Sequence, residues 1–232
     1  FEKTSFGPLK RACFFALEQL GAPYAGRKEI QCPWLPNAPV VDGKLALGEW
    51  EEAASTTTFS GDEFGTPYQQ PITVNVGRDS SRLYLSFRVE FADTTLPAIQ
   101  VRVQDAAEIV QDDRLEWSIS KSREQAIPFT FAITPIGAFV DRLGRNREWN
   151  PAWKAAQYRE PHRWTLECEI PFSSIDIDPR GTIPNLRFNI SYLEEMTQRW
   201  SWSVTYGQPE NPSRFGNLTF TQNTLSRESQ NE

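Results

Sequence analysis

The sequence predicts an all-β domain, an antiparallel β-sandwich of jelly-roll type with a short N-terminal helical extension, and three observations predict it. Apolar and polar residues alternate strictly in several separate runs, which is the two-residue period of half-buried strands. The runs are short and are set apart by clusters of Gly, Pro, Asn, Asp and Ser that mark turns. Little helical periodicity lies between them, which favours a sandwich or barrel over a parallel sheet.

Between Pro8 and Gly21 the residues Leu9, Cys13, Ala16, Leu17 and Leu20 share one stripe of a short helix, with Gly21 as its stop. The stretch that follows is rich in Pro and Gly and reads as an extended connector over the surface. Residues 1–37 are therefore an extension, residues 38–220 the sandwich and residues 221–232 a polar tail. Within the sandwich, ITVNV leads through a turn over Gly77 to Ser81 into RLYLSFRVE. There Leu83, Leu85, Phe87 and Val89 face the core, while Tyr84, Ser86, Arg88 and Glu90 face water. Leu115, Trp117 and Ile119 alternate with Glu116, Ser118 and Ser120, and Phe129, Phe131 and Ile133 alternate with Thr130, Ala132 and Thr134. Pro135-Ile136-Gly137 reverses the chain. Trp164, Leu166, Cys168 and Ile170 make a further face, ended by Pro171. Leu186, Phe188, Ile190 and Tyr192 repeat the pattern, WSWSVTY puts Trp200, Trp202, Val204 and Tyr206 on one face, and FGNLTF closes the domain.

Composition bounds the function. The chain has 232 residues and a formal net charge of −6; a phosphate backbone needs clustered Lys and Arg, so nucleic acid is not the expected partner. No apolar run is long enough to cross a bilayer as a helix. Eight Trp, 15 Phe and 6 Tyr suit both wide sheet faces and surfaces that stack on ligands. Three cysteines leave at least one thiol outside any internal bridge. Cys168 reads as a small core hydrophobe, and Cys13 with Cys32 can close a loop. The chain begins at Phe1 rather than Met, which suits a removed leader and an extracytoplasmic, periplasmic or secreted setting.

Catalytic patterns are sparse. His162 is the only histidine and sits in the turn-like REPHRW, so a zinc motif or a nucleophile–histidine pair has little to draw on. Paired carboxylates are the enzymatic alternative, with Asp112, Asp113, Glu116, Glu194 and Glu195 as candidates among many solvated acids. Asp112, Asp113 and Glu116 can equally offer oxygen ligands to calcium. Met196, the only methionine, can pair with His162 as axial haem ligands, although no Cys-x-x-Cys-His motif accompanies them. No cofactor is expected, with calcium and haem as the alternatives, and the expected chain is not an enzyme.

Four segments in order carry a resemblance: APVVDGKLALGEWEEA, RLYLSFRVE, QDDRLEWSIS and PSRFGNLTF. Together, and with WNPAWKAA and WTLECEIPFSSI between them, they resemble the family 9 carbohydrate-binding modules over residues 38–220. The resemblance implies a sandwich that binds sugars beside a secreted glycoside hydrolase, through two Trp rings that enclose one sugar. Those two positions fall near Val110 and Pro209, neither of them aromatic. A replacement platform is available in Trp149 and Trp153, with Arg147 and Glu148 to bond hydroxyl groups; alternatively Trp153 plugs the sandwich edge and Trp149 covers a loop. Arg214, in the closing motif, is either a polar contact for ligand or a packed structural arginine. The expected ligand is a glycan or a protein partner. The alternatives are an accessory subunit of a larger complex that docks through the N-terminal helix, and a haem-binding electron-transfer sandwich.

Overall fold

The computed structural model describes residues 9, 12, 13, 16, 28–63, 65–69, 71–90, 107–122, 124–125, 127–194 and 198–220. Two sheets pack face to face. The larger runs β1 (Glu29–Cys32), β13 (Gly216–Phe220), β11 (Leu186–Glu194), β6 (Arg114–Ser120), β7 (Phe129–Ile133) and β8 (Phe139–Leu143). On its flank β12 (Gln198–Ser201) pairs with β11 and with β3 (Ser60–Gly61). The smaller runs β2 (Ala54–Thr56), β4 (Ile72–Arg78), β5 (Arg82–Glu90), β10 (Arg163–Pro171) and β9 (Lys154–Glu160). All pairings are antiparallel except β1 with β13.

The alternating runs build the core as expected. Leu85, Phe87 and Val89 from one sheet meet Leu115, Trp117, Phe131 and Phe188 from the other, all of them buried. The Phe87 and Trp117 rings stand 5.2 Å apart across the interface, the spacing of an offset aromatic contact.

Three expectations change. First, residues 29–35 belong to the sandwich, not to a surface connector. Ile30 and Cys32 point inward from β1, and Leu35 fills the place where Gly77 lacks a side chain, 2.5 Å from a Cβ built there. That contact also explains why Gly77 lies within β4 and the turn begins only at Asp79, whose Oδ1 accepts from the Ser81 and Arg82 amides at 2.6 and 2.7 Å. Cys32 and Cys13 are not bridged: Cys32 is a thiol inside the core and Cys13 is exposed. The helix read between Pro8 and Gly21 falls, apart from four single positions, outside the described residues, as does the tail 221–232.

Second, the outer face of β5 is not wet along its length, since Tyr84 and Ser86 are as buried as the core. Residues 38–53 cover it. Glu167, paired with Ser86 on the neighbouring strand, accepts from Trp50 Nε1 at 2.9 Å and from the Asp42 and Gly43 amides at 3.1 and 2.9 Å.

Third, WSWSVTY does not continue as a strand. β12 stops at Ser201 and the chain crosses the outer face of the larger sheet. Side-chain acceptors replace the ladder there: Asn189 Oδ1 accepts from the Ser203 amide at 2.9 Å, and Asp62 accepts from the Thr205 amide, its hydroxyl and the Gly207 amide. A buried backbone amide must find such a partner to leave a sheet. Trp202 turns into the core while Tyr206 takes a φ of 54°.

Candidate functional site: two clefts joined at Arg199

Two clefts meet at β12, one on the outer face of the larger sheet and one at the β3–β12 edge. One, of about 380 Å³, is bounded by Val110, Arg114, Glu116, Arg142, Arg147 and Glu210; the other, of about 490 Å³, by Asp62, Thr66, Gln198, Trp200, Gly207 and Pro209. Arg199 lines both.

The first cleft is built on outward positions of β6, β8 and β12, all at alternate sites to the core residues. Glu116 lies at its floor, its side chain 7 % exposed. Arg199 Nη1 donates to Glu116 Oε1 at 2.9 Å, while Arg114 and Arg142 stand 3.7 and 3.8 Å from Oε2. Burial by itself would raise this carboxyl, but Arg199, Arg114 and Arg142 together hold it down at about 2. Arg114 also donates to the Val110 and Asp112 carbonyls at 2.8 and 3.2 Å, which fixes the turn Ala107–Gln111 over the sheet. Arg142 donates to Glu210 Oε1 at 2.6 Å, tying the crossing loop to β8. Behind them Ile109, Ala132, Ala138 and Val140 form a small second apolar cluster.

The second cleft has an aromatic wall. Trp200 is half-buried and leans on Tyr68 at 4.5 Å between ring centroids, and its Nε1 donates to Glu194 Oε2 at 3.1 Å. Gly61 lies against this ring, where a Cβ would make an ordinary contact at 3.4 Å.

The candidates named from sequence scatter. Arg147 reaches the first cleft, but Trp149 and Trp153 do not line it. Trp149 packs on Phe129 and Phe131 at 5.3 and 5.6 Å, and Trp153 packs edge-on against Trp117, Phe131 and Phe139. Both pack on core aromatics at the sandwich edge, the place that the second of the two readings above gave to Trp153 alone, with Trp149 over a loop. Trp153 Nε1 donates to the buried Asp141 at 2.8 Å. Trp153→Phe, which keeps the packing and drops this bond, is expected to destabilise the fold by about 1–2 kcal/mol in urea unfolding without altering sugar affinity. Arg214 is buried, and its carbonyl accepts from Ser203 Oγ at 3.0 Å, so it holds the crossing loop from beneath.

Calcium does not fit the residues proposed for it. Glu116 already faces three guanidinium groups, and among the described residues no three acidic, His or Cys side chains are grouped to hold a metal. His162 is exposed in the β9–β10 turn, and Met196 lies outside the described residues, so the haem pair is not brought together here. Of the paired acids, Glu194 is engaged with Trp200 and Glu195 also lies outside the described residues. What sequence reasoning missed is Arg142, Arg145 and Arg199, which come from separate segments. Trp200 packs against the core, as its alternation with Ser201 reads, and also lines the second cleft.

No protein-family model matches the sequence, and no curated protein matches it. Among solved structures, a family 9 carbohydrate-binding module from Caldicellulosiruptor kristjanssonii in complex with cellotriose is similar with a TM-score of 0.60 at 16% identity, over 85% of this chain and 95% of that one. Its complex with glucose gives the same score and identity, over 97% of that chain. A protein from Bacteroides uniformis gives 0.63 at 15% identity, over 84% of this chain and 98% of its own. Among the described residues no helix is long and apolar enough to cross a membrane. The chain has the β-sandwich fold of the family 9 carbohydrate-binding modules.

Proposed function

We propose that this chain is a non-catalytic, extracytoplasmic recognition domain that holds a glycan across the two clefts joined at Arg199. The observation that carries the reading is the juxtaposition of an aromatic wall with a row of hydrogen-bond donors. Trp200 offers an apolar surface to a sugar ring in one cleft, Arg142 lines the other with donors for hydroxyl groups, and Arg199 lines both. Val110 and Pro209, where the resemblance would put two Trp rings, line these same clefts, which supports a site at this place with a different chemistry. The likeness to binding modules supports recognition without catalysis and an encounter with polysaccharide outside the membrane.

A glycan array on the full chain, followed by calorimetry, tests the reading. Binding to at least one oligosaccharide is expected, with Trp200→Ala weakening it about tenfold or more. Trp200→Phe, which keeps the contact with Tyr68, is expected to lose less and guards against simple unfolding. A chain that binds no glycan would overturn the proposal.

A further inference from the structure

Five arginines and two glutamates line the smaller cleft, an excess of three positive charges on a chain whose net charge is −6. The roles of these arginines differ. Arg114, Arg142 and Arg199 surround Glu116, and Arg142 also meets Glu210. Both glutamates are thus spent within the cluster. Arg145 and Arg147 stand at the rim, exposed, with no ion pair to any described residue.

A neutral sugar does not call for this arrangement. Hydroxyl groups are met well by Asn, Gln and backbone groups, and a concentration of like charge is unfavourable unless something offsets it. The Arg fork, in contrast, matches the paired oxygens of a carboxylate or sulfate, with two parallel and charge-assisted hydrogen bonds. The cleft is walled by Val110 and Val140 and floored by buried groups, so its field is less screened by water than that of a flat surface patch. Position adds to charge. Arg199 lines both the arginine cleft and the cleft of Trp200, so the two adjoin.

We infer that the glycan this domain takes is acidic, with a carboxylate or sulfate group seated among Arg142, Arg145, Arg147 and Arg199. The inference rests on the glycan-binding reading above and narrows it to one class of sugar. Selectivity then comes from the guanidinium groups, and Trp200 contributes affinity with little discrimination between sugars.

Calorimetry on the full chain can separate this inference from the reading beneath it. The probes are trigalacturonate, its fully methyl-esterified form, a sulfated galacto-trisaccharide, cellotriose and inorganic sulfate. At least one of the two acidic sugars is expected to bind about tenfold or more tighter than the uncharged probes, and more weakly as salt is raised. Trigalacturonate alone binding would identify the carboxylate as the anion, the sulfated sugar alone the sulfate ester, and either result supports the inference. Arg145→Ala with Arg147→Ala, both at exposed positions, is expected to remove most of the gap while leaving the melting temperature in place. Affinity of neither acidic sugar above that of the uncharged probes, or a preference for cellotriose, would overturn the inference and leave glycan binding standing. Inorganic sulfate competing as strongly as the acidic sugars would overturn it as well, since the cleft would then be a simple anion site. Failure of every sugar would remove both.

Discussion

Replacing Glu116 by alanine is expected to destabilise the fold by about 3–5 kcal/mol at pH 7, among the largest effects of any single surface-facing substitution. The reason is what stays behind. Arg114, Arg142 and Arg199 are held around this carboxylate by β6, β8 and β12, and without it three partly buried cations face one another. Removing one partner of such a group is worse than never having built it, because the remaining charges lose their compensation but stay out of water. The effect has a definite pH dependence. The carboxyl is held at about 2 in the fold against 4.5 as its ordinary value, so the unfolded chain binds its proton more readily. Its contribution, about 3 kcal/mol, is fully present above pH 4.5 and is lost as the pH falls through 2. Urea unfolding of wild type and variant at pH 7 and pH 3 checks both points. The deficit of the variant should shrink at the lower pH, and a loss under about 1 kcal/mol at pH 7 would show that the cluster is effectively solvated.

Glu116 also marks where sequence reading stops. In β6 the alternation of Leu115, Trp117 and Ile119 with Glu116, Ser118 and Ser120 was enough to orient the strand, because a two-residue period separates its faces whatever lies on them. Alternation does not reveal a second cover. Glu116, Ser118 and Ser120 are 6, 6 and 0 % exposed because the segments 107–113 and 203–214 lie over them. A polar residue under a cover looks the same in sequence as one in water. The crossing loop was illegible for a related reason: Trp200, Trp202, Val204 and Tyr206 keep a strand period, yet acceptors distant in sequence, Asn189 and Asp62, draw the backbone out of the sheet. β1 did leave a trace in the alternation of Glu29, Ile30, Gln31 and Cys32, but four residues among prolines and glycines give too short a period to stand out. The candidate site needs five arginines from β6, β8, the loop after it and β12. Only tertiary pairing brings these together, so charge counts along the chain, which are acidic overall, pointed away from it.

The cover over the smaller sheet depends on one acid in the same way, and Glu167→Ala is expected to destabilise the fold by about 3–5 kcal/mol at pH 5. Its side chain collects Trp50 Nε1 and the amides of Asp42 and Gly43, so the substitution leaves three donors above a void, each worth about 1–3 kcal/mol when unmet. The cover has little freedom to seek other acceptors. Gly43 takes a φ of 86°, a Cβ there would stand 2.5 Å from the Gln157 backbone, and its carbonyl accepts from Thr165 Oγ1 at 2.6 Å. The segment therefore rests directly on the sheet. The pH dependence runs opposite to that of Glu116. Burial lifts the Glu167 carboxyl to about 7, against the pull of its three donors and with Glu49 adding to the lift. The folded chain thus holds this proton more tightly than the unfolded one between pH 4.5 and 7, and wild-type stability falls by about 3 kcal/mol as the pH rises through that window. Alanine carries no proton, so the deficit of the variant should narrow to about 1–2 kcal/mol at pH 8. Chemical unfolding of both proteins at pH 5 and pH 8 reads this directly, and equal deficits at the two pH values would mean that the donors keep Glu167 ionised throughout, with its place in the cover unchanged but its proton gone.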